Sequence, residues 1–224
     1  MTPAGAASLL RRLYARPTSA IGTTLVALFL AMAALGPTVV PYGPTQQILT
    51  SRAQAPGPEH WFGTDRLGRD VFSRVVAGSR DILALAGGGT ALAVALGTVI
   101  GLFAATVGGW WDEVVFRLFD ALLAIPALLL ALLLLGTLGP SRPAVLWVIV
   151  IAYAPIVARV VRSVVLSVKT REWVAVARMQ GERLPWIVGR EILPSVLPAL
   201  AVESALRFSY AIFLVASLGF LGVG

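Results

Sequence analysis

Five apolar runs, over residues 20–40, 82–111, 121–138, 143–165 and 198–223, alternate with polar stretches along this 224-residue chain. A helix needs about 20 apolar residues to cross the hydrocarbon core of a bilayer. The pattern therefore predicts an all-α, polytopic membrane helical bundle, with spans at 20–41, 82–107, 115–138, 143–165 and 198–223. The first run follows Arg11, Arg12 and Arg16 and contains the small-residue pattern Ala31-Met32-Ala33, as a secretory signal would. It outlasts the roughly 7–15 apolar residues of such a signal, which favours an uncleaved span. Pro155 lies inside the fourth run and predicts a kink.

Two polar segments carry helical signals of their own. The one between the fourth and fifth runs, residues 159–198, is basic yet patterned. Residues 171–180 are helix formers with an apolar stripe at Val174 and Ala177, extended by Trp173. Gly181 breaks that helix, residues 184–192 resume at a different angle, and Leu193-Pro194 turns the chain back toward the membrane. Such a helix–glycine–helix unit is either a lipid-surface helix or a knob for a groove in a soluble partner. A surface helix carries a stronger basic face and no glycine break, which favours the docking knob. The other segment, residues 42–81, holds Thr64 and Asp65, either of which suits a helix N-cap. Asp70 stands four residues before Arg74, the favourable order for a helical ion pair. These features predict a capped amphipathic helix on the outer membrane surface. The acids lack the alternate-residue spacing of a calcium loop.

Small residues recur at every fourth position of the second span, at Gly89, Ala93, Gly97, Gly101 and Ala105, and so line one helix face. In lipid, close backbone approach and van der Waals contact hold helices together. The stripe predicts a protein-facing packing seam, either static or able to slide. Ahead of the third span, Trp110 and Trp111 suit a membrane interface, and Asp112 and Glu113 suit the positive end of a helix. Arg117 and Asp120 are spaced to pair. An anchored helix start accounts for these charges better than a proton relay. Glu203 and Arg207, four apart inside the fifth run, read two ways. They are a mutually satisfied pair near the membrane edge, or a gate or contact to a second subunit.

Composition and charge narrow the chemistry. Hydrophobic residues make up 58% and charged residues 13% of the chain, and the mean hydropathy is +0.85, values of an integral membrane protein. There is no cysteine, which excludes disulfides and thiolate metal sites, and His60 alone cannot build an imidazole cluster. The net charge of +7 speaks to topology and lipid headgroups rather than to nucleic acid. The N-terminal arginines and the basic residues from Arg159 to Arg190 are separated by an even number of spans. Both therefore lie on one side, assigned to the cytoplasm by the positive-inside rule. Arg52, Arg66, Arg69, Arg74 and Arg80 fall on the opposite side, where the rule weakens for a folded segment. The sequence has no Gly-x4-Gly-Lys-Ser/Thr loop, so any ATP is the business of a partner. An intramembrane hydrolase needs a nucleophile beside a base, and His60 lies in a loop with no Gly-x-Ser-x-Gly element near it. A stand-alone secondary transporter driven by an ion gradient is the stronger rival. It predicts inverted repeats and midplane charges. No convincing repeat is visible, and Glu203–Arg207 is the one candidate pair.

Three groups of residues point to a known family. Gly63, Thr64, Asp65, Gly68, Arg69, Asp70, Ser73 and Arg74 spell Gly-Thr-Asp-x2-Gly-Arg-Asp-x2-Ser-Arg before the second span. Ala177, Gly181, Leu193 and Pro194 match four places of the loop pattern Glu-Ala-Ala-x3-Gly-x9-Ile-x-Leu-Pro. Asp112, Arg117, Asp120 and Pro126 lead into the third span. On these residues the chain resembles, over nearly its whole length, the membrane subunit of bacterial ABC importers, specifically the second permease of the dipeptide and oligopeptide type. Three loop positions depart from the pattern: Ala175 replaces the glutamate, Val176 the first alanine and Glu191 the isoleucine. The resemblance therefore carries the helix–glycine–helix shape and not the acid's ion pair to the ATPase.

The resemblance implies a type I ABC importer transmembrane fold with residues 82–224 as the permease core. Residues 1–19 would be cytoplasmic, 42–81 extracytoplasmic, and 166–197 a cytoplasmic coupling loop. In that loop Arg171, Glu172, Ala175, Ala177, Arg178, Gly181, Leu193 and Pro194 would meet an ATPase. Implied partners are a second homologous permease, two ATP-binding subunits, an extracytoplasmic substrate-binding protein and membrane lipid, with no nucleic acid. No cofactor is implied in this chain; ATP and Mg would sit in the partner ATPases. The implied place is the bacterial inner membrane, with the N-terminus cytoplasmic. One more helix would follow Gly224, so the expected last helix is absent. Relatives of this type handle dipeptides, oligopeptides, glutathione, nickel chelates and haem, a choice made largely by the binding protein.

Overall fold

The computed structural model describes residues 13–222, all of them in helices, turns or loops without a β-strand. Arg11, Arg12, Val223 and Gly224 lie outside the described residues. Chain contacts define two compact units, Met1–Leu83 and Ala84–Gly224.

In the first unit, α1 runs over Pro17–Val39, with Pro17 in the first turn, where its missing N–H costs no hydrogen bond. A loop with a short 3-10 turn at Leu49–Ser51 leads to α2, Val71–Val107. The separate surface helix expected before the second span does not form. Its residues are the opening turns of α2, which is a single rod of 37 residues. The N-cap is also corrected. Helix α2 begins after Asp70, whose Oδ2 accepts the Ser73 N–H at 2.8 Å, so neither Thr64 nor Asp65 caps it.

In the second unit, α2 ends at Gly108 and Gly109, both at positive φ, and α3 follows at Gly109–Leu123. Helix α4, Ala127–Leu138, departs from α3 at 89°. The third span expected as one helix over 115–138 is thus a bent pair. Pro126 has no N–H to continue α3 and its ring disfavours helical geometry at Ile125, which breaks the ladder at that point.

Helix α5, Arg142–Val168, starts at Ser141, whose Oγ accepts the Ala144 N–H at 3.3 Å, and it retains Pro155 in its interior. Its middle is buried nearly all round, from Val148 to Ala158, which makes it the central helix of this unit. Helix α6 (Glu172–Met179) and α7 (Leu184–Ile187) form the helix–glycine–helix loop. A π turn at Val188–Ile192 then joins α7 to α8, Leu193–Phe220. The turn toward the membrane expected at Leu193-Pro194 is absent. Pro194 occupies the first turn of α8, where proline is tolerated, and Pro198 lies within the helix. Among the described residues, four helical stretches are long and apolar enough to span a membrane, and the bent α3–α4 pair makes a fifth.

The stripe of small residues on α2 packs against α5. A Cβ on Gly97 would lie 2.6 Å from the Ala154 carbonyl oxygen, and one on Gly101 would lie 2.6 Å from that of Ala158. Gly89 meets the Ile149 side chain, and Ala93 and Ala105 are fully buried. The backbones approach as closely as this because nothing projects between them.

Candidate functional site

The helix–glycine–helix loop is built on a two-faced helix. Glu172 sits in the first turn of α6 and Arg178 in its last, each complementing the helix dipole. Gly181, at φ +80°, ends the helix. Its N–H donates to the Arg178 carbonyl at 3.0 Å, and the Glu182 N–H donates to that of Ala177 at 3.2 Å. These two bonds are a Schellman motif, in which glycine takes the left-handed position at little cost.

The inner face of α6 is rooted by Val174 and Ala177, which join Val165, Ile187, Ile192 and Val196 in one apolar cluster. Burying a side chain such as Val174 is worth about 1.5–3 kcal/mol, which turns this face of the helix toward the core. The outer face carries Trp173, Val176 and Met179, all exposed, as is Leu184 at the start of α7. Trp173 therefore does not belong to the buried stripe in which the sequence placed it. Helical period puts Met179 on the face opposite Val174 and Ala177, with Val176 beside it and Trp173 at the edge of the buried stripe. Arg171 and Arg190 rest over the rings of Trp173 and Trp186, at 5.9 and 5.8 Å. Ala175, Arg178 and Pro194 are exposed and Leu193 is half-buried.

Ion pairs brace the ends of the helices next to this loop. Asp112 at the start of α3 accepts two bonds from Arg162 of α5, at 2.7 and 2.6 Å, and the Arg162 guanidinium lies 4.8 Å over Phe116. Asp120 pairs with Arg159. Arg117 pairs with Glu113, at 2.6 Å, and not with Asp120 as its spacing suggested. Lys169 Nζ donates to the Ala105 carbonyl at 3.0 Å, tying the end of α5 to that of α2. Asp120 and Asp112 were visible in the sequence, but their partners lie 39 and 50 residues away. Arg159 and Arg162, three apart on one helix face, were the only available signal.

The Gly63–Arg74 segment folds into a closed turn whose polar groups bond to one another and to residues 42–60. Thr64 Oγ1 accepts the Gln54 N–H at 2.9 Å and donates to the Ser51 carbonyl. Asp65 Oδ1 accepts the N–H groups of Leu67 and Arg69, and its Oδ2 takes Arg69 Nε at 2.7 Å and Arg74 Nη1 at 2.6 Å. Arg74 thus reaches Asp65 rather than Asp70. Asp70 instead pairs with His60 Nδ1 at 2.9 Å, both groups being buried, and Tyr42 stacks on the imidazole. Ser73 Oγ accepts the Tyr42 N–H at 3.4 Å.

These bonds set the acid behaviour of the loop. The backbone N–H of Arg69, foremost, holds the Asp65 carboxyl down to about 2 against the opposing effect of burial. Burial pushes Asp70 up, but bonds from Ser73 and His60 outweigh it and leave its value lowered. A carboxylate depressed in the fold stabilises it above its unfolded value, about 4, and loses that effect as pH falls toward the folded value. A variant keeping Trp61 as its only tryptophan is expected to hold its emission constant from pH 7 to about 4 and change between about 4 and 2. An emission spectrum constant down to pH 2 would contradict this linkage.

Glu203 and Arg207 lie on the buried stripe of α8 that also holds Val196, Leu200, Ala211, Leu214 and Leu218. Arg207 Nε is 2.7 Å from Glu203 Oε1, yet neither atom has a partner at hydrogen-bonding angles. The contact is a close ion pair with a poorly aligned bond.

Comparison with known proteins gives the family. A family model described as a binding-protein-dependent transport system inner membrane component matches residues 97–224. A second, the N-terminal TM domain of oligopeptide transport permease C, matches residues 7–56. The dipeptide transport system permease protein DppC of Alkalihalophilus pseudofirmus is 38% identical over 204 residues, covering 91% of this chain and 67% of the relative. The probable D,D-dipeptide transport system permease protein DdpC of Escherichia coli K12 is 33% identical over 218 residues, covering 97% and 73%. DppC of Bacillus subtilis is 32% identical over 214 residues, covering 96% and 67%.

Proposed function

The chain belongs to the family of binding-protein-dependent transport system inner membrane components, and on that footing we propose that it moves peptides as one permease half of an ATP-driven importer. A similar permease stands opposite it, two ATP-binding subunits grip the pair from the cytoplasm, and a binding protein delivers peptide from outside. The N-terminus and the 166–197 loop face the cytoplasm, as the arginine and lysine bias supports. Peptide is the substrate class on the strength of the relatives' names.

The observation that carries this reading is the outer face of α6. Trp173, Val176 and Met179 leave an apolar patch in water on a helix whose other face is locked into the core. A patch of that kind suits a hydrophobic groove in a soluble partner. Helix α6 packs on α7 and the π turn, which run without a break into α8. A push on α6 is therefore delivered to α8 through one helical stretch and to α5 through the chain at residues 169–171. ATP-driven closure of the ATPases would tilt α5 and α8 and switch the pore between inward- and outward-facing states. MgATP is held by the partners, and this chain supplies the lever.

Purification of the tagged chain from its own host in mild detergent tests the proposal, with mass spectrometry of what accompanies it. A second permease and ATP-binding subunits are the expected companions. Val176→Asp combined with Met179→Asp, both on the exposed face, is expected to leave the chain in the membrane. The same pair is expected to remove the ATPases and cut peptide uptake at least about tenfold. A lone chain that transports at full rate with both substitutions would establish an independent transporter instead.

A further inference from the structure

The unaligned ion pair on α8 opens onto a cleft of about 290 Å³ between α4, α5 and α8. Arg207 lines this cleft with Tyr153, Ile156, Tyr210, Phe213 and Ser217. Its guanidinium stands 5.7 Å from the Tyr153 ring centroid and 5.0 Å from that of Tyr210. The walls are otherwise mostly apolar. Glu203 is 8% exposed, and its Oε1, like Arg207 Nε, lacks a hydrogen-bond partner.

Burial within an apolar helix makes this arrangement costly. Arg207 is 14 residues beyond Leu193 in a helix ending at Phe220, about 21 Å along its axis. An arginine near the middle of a bilayer costs about 2.5–3.5 kcal/mol on insertion scales, and such groups face cavities or partners rather than lipid. The pair is placed on the α5-facing stripe, which removes it from lipid, yet its best hydrogen bonds are left unmade. A concave, largely apolar site with a few convergent polar groups, near the lower end of the roughly 300–1,000 Å³ range, is the usual form of a small-ligand site. A carboxylate is the ligand chemistry that fits, because guanidinium offers a planar fork of donors to it. The tyrosine rings hold the guanidinium in position and exclude water.

We infer that the Arg207 cleft is a transient subsite for the free carboxylate of a solute on its way through the pore, with Glu203 as the intrahelical partner that Arg207 leaves and regains. This rests on the importer reading, and it assigns that pathway a chemical preference. A carboxylate that displaces Glu203 from Arg207 does not leave the cation bare, and the buried Glu203 carboxylate it uncovers is a cost that makes its stay transient. Release restores the internal pair, which keeps the subsite from trapping its cargo.

The test uses the whole complex recovered with its partners. The probe is the dipeptide alanyl-photoleucine, compared with its C-terminal amide, crosslinked in the absence of the binding protein and mapped by mass spectrometry. The acid is expected to label the α4–α5–α8 cleft at least about tenfold more than the amide, the effect of one charge-assisted hydrogen bond. Arg207→Gln should reduce acid labelling to the level of the amide, and Glu203→Gln should raise it by releasing Arg207. Equal labelling by acid and amide, or an acid preference that survives Arg207→Gln, overturns the subsite. Loss of the second permease from the Arg207→Gln complex also overturns it, since the pair is then a subunit contact. If that variant fails to fold, Glu203→Gln decides, and unchanged or lower labelling refutes the inference. An assembled complex that hydrolyses ATP with an unlabelled cleft sinks only the subsite. A chain without ATPase partners sinks the importer reading on its own.

Discussion

Gly97→Ala and Gly101→Ala, made together, are expected to cost this protein most of its recoverable folded fraction. At each position the added methyl lands 2.6 Å from a carbonyl oxygen of α5, at Ala154 and at Ala158, and within 2.8–2.9 Å of the Cβ of Val157 or Val161. Carbonyl oxygens in a continuous helix cannot rotate away as a side chain can, so α2 and α5 must separate. Overpacking of this kind costs about 1–3 kcal/mol per site. The damage extends beyond the contact itself, because α5 also carries Arg162, Arg159 and Lys169, which pair with α3 and α2. Heating the detergent-solubilised protein and following its size-exclusion peak gives the measurement. Each single alanine should lower the midpoint by about 2–12 °C, and the pair by more than either but less than the sum, since one separation of α2 from α5 relieves both clashes. Gly88→Ala is the matched control, since its methyl would meet only Leu146 Cδ1 at 3.8 Å. Equal midpoints for Gly101→Ala and Gly88→Ala would show that the seam is looser than its geometry requires.

Gly68→Ala is expected to open the loop before α2. Gly68 has φ +74°, and an added Cβ would sit 2.1 Å from the Ile48 carbonyl oxygen and 2.8 Å from its carbon. The same stretch is closed by the Ile48 N–H, which donates to the Gly68 carbonyl at 3.0 Å. A left-handed non-glycine residue costs about 1–2 kcal/mol before any clash is counted. Gly63→Ala meets the same two obstacles, with φ +71° and the Gln54 carbonyl oxygen 2.4 Å away. Trypsin cleavage after Arg66 and Arg69 reports on opening, since both residues lie in the loop that these contacts hold shut. Cleavage at least about tenfold faster in Gly68→Ala than in Gly57→Ala is the expected result. Gly57 is a suitable reference because its nearest neighbour, the Ala55 oxygen, is 4.0 Å from the added atom. Equal rates would mean that the turn has another way to accommodate a side chain.

The two glycine sets differ in how much of their role was legible. The stripe from Gly89 to Ala105 announced a packing face by its period alone, because small side chains at every fourth residue have few other uses in lipid. Which helix it met was not legible, since the partner α5 is more than 50 residues on and offers Ala154, Val157, Ala158 and Val161 rather than a matching glycine stripe. The Gly63–Arg74 segment was recognised as a marker, but its polar residues were given the wrong partners. Local spacing favoured Asp70 with Arg74. The closed turn instead brings His60 to Asp70, where burial gives a hydrogen-bonded pair more weight than a solvated i,i+4 contact, and leaves the exposed Arg74 to join Arg69 on Asp65. The helix–glycine–helix loop was legible in its break at Gly181, where the Schellman cap needs a left-handed residue, and not in Trp173, which is exposed. For so short a helix, one apolar residue on either side of the stripe fits the period equally well.

Membrane class, an all-helical architecture, the number of apolar spans and the family follow from the sequence by itself. These properties depend on the length of apolar runs, on the absence of chemistry that needs cysteine or a nucleotide loop, and on motifs confined to short segments. Tertiary structure alone decided the ends of the helices and the pairing of charges. A proline that breaks α3 from α4 at Pro126 is accommodated inside α5 at Pro155 and inside α8 at Pro198. The difference lies in whether neighbouring helices hold the chain straight, which no local pattern records. The charges of α3 and α8 likewise acquire meaning from what packs beside them. Asp112 is satisfied by a bidentate arginine from a distant helix, whereas Glu203 and Arg207 remain imperfectly matched beside an open cleft. Electrostatic energy in a medium of low dielectric depends on distance and alignment, and those are fixed only when the helices have packed.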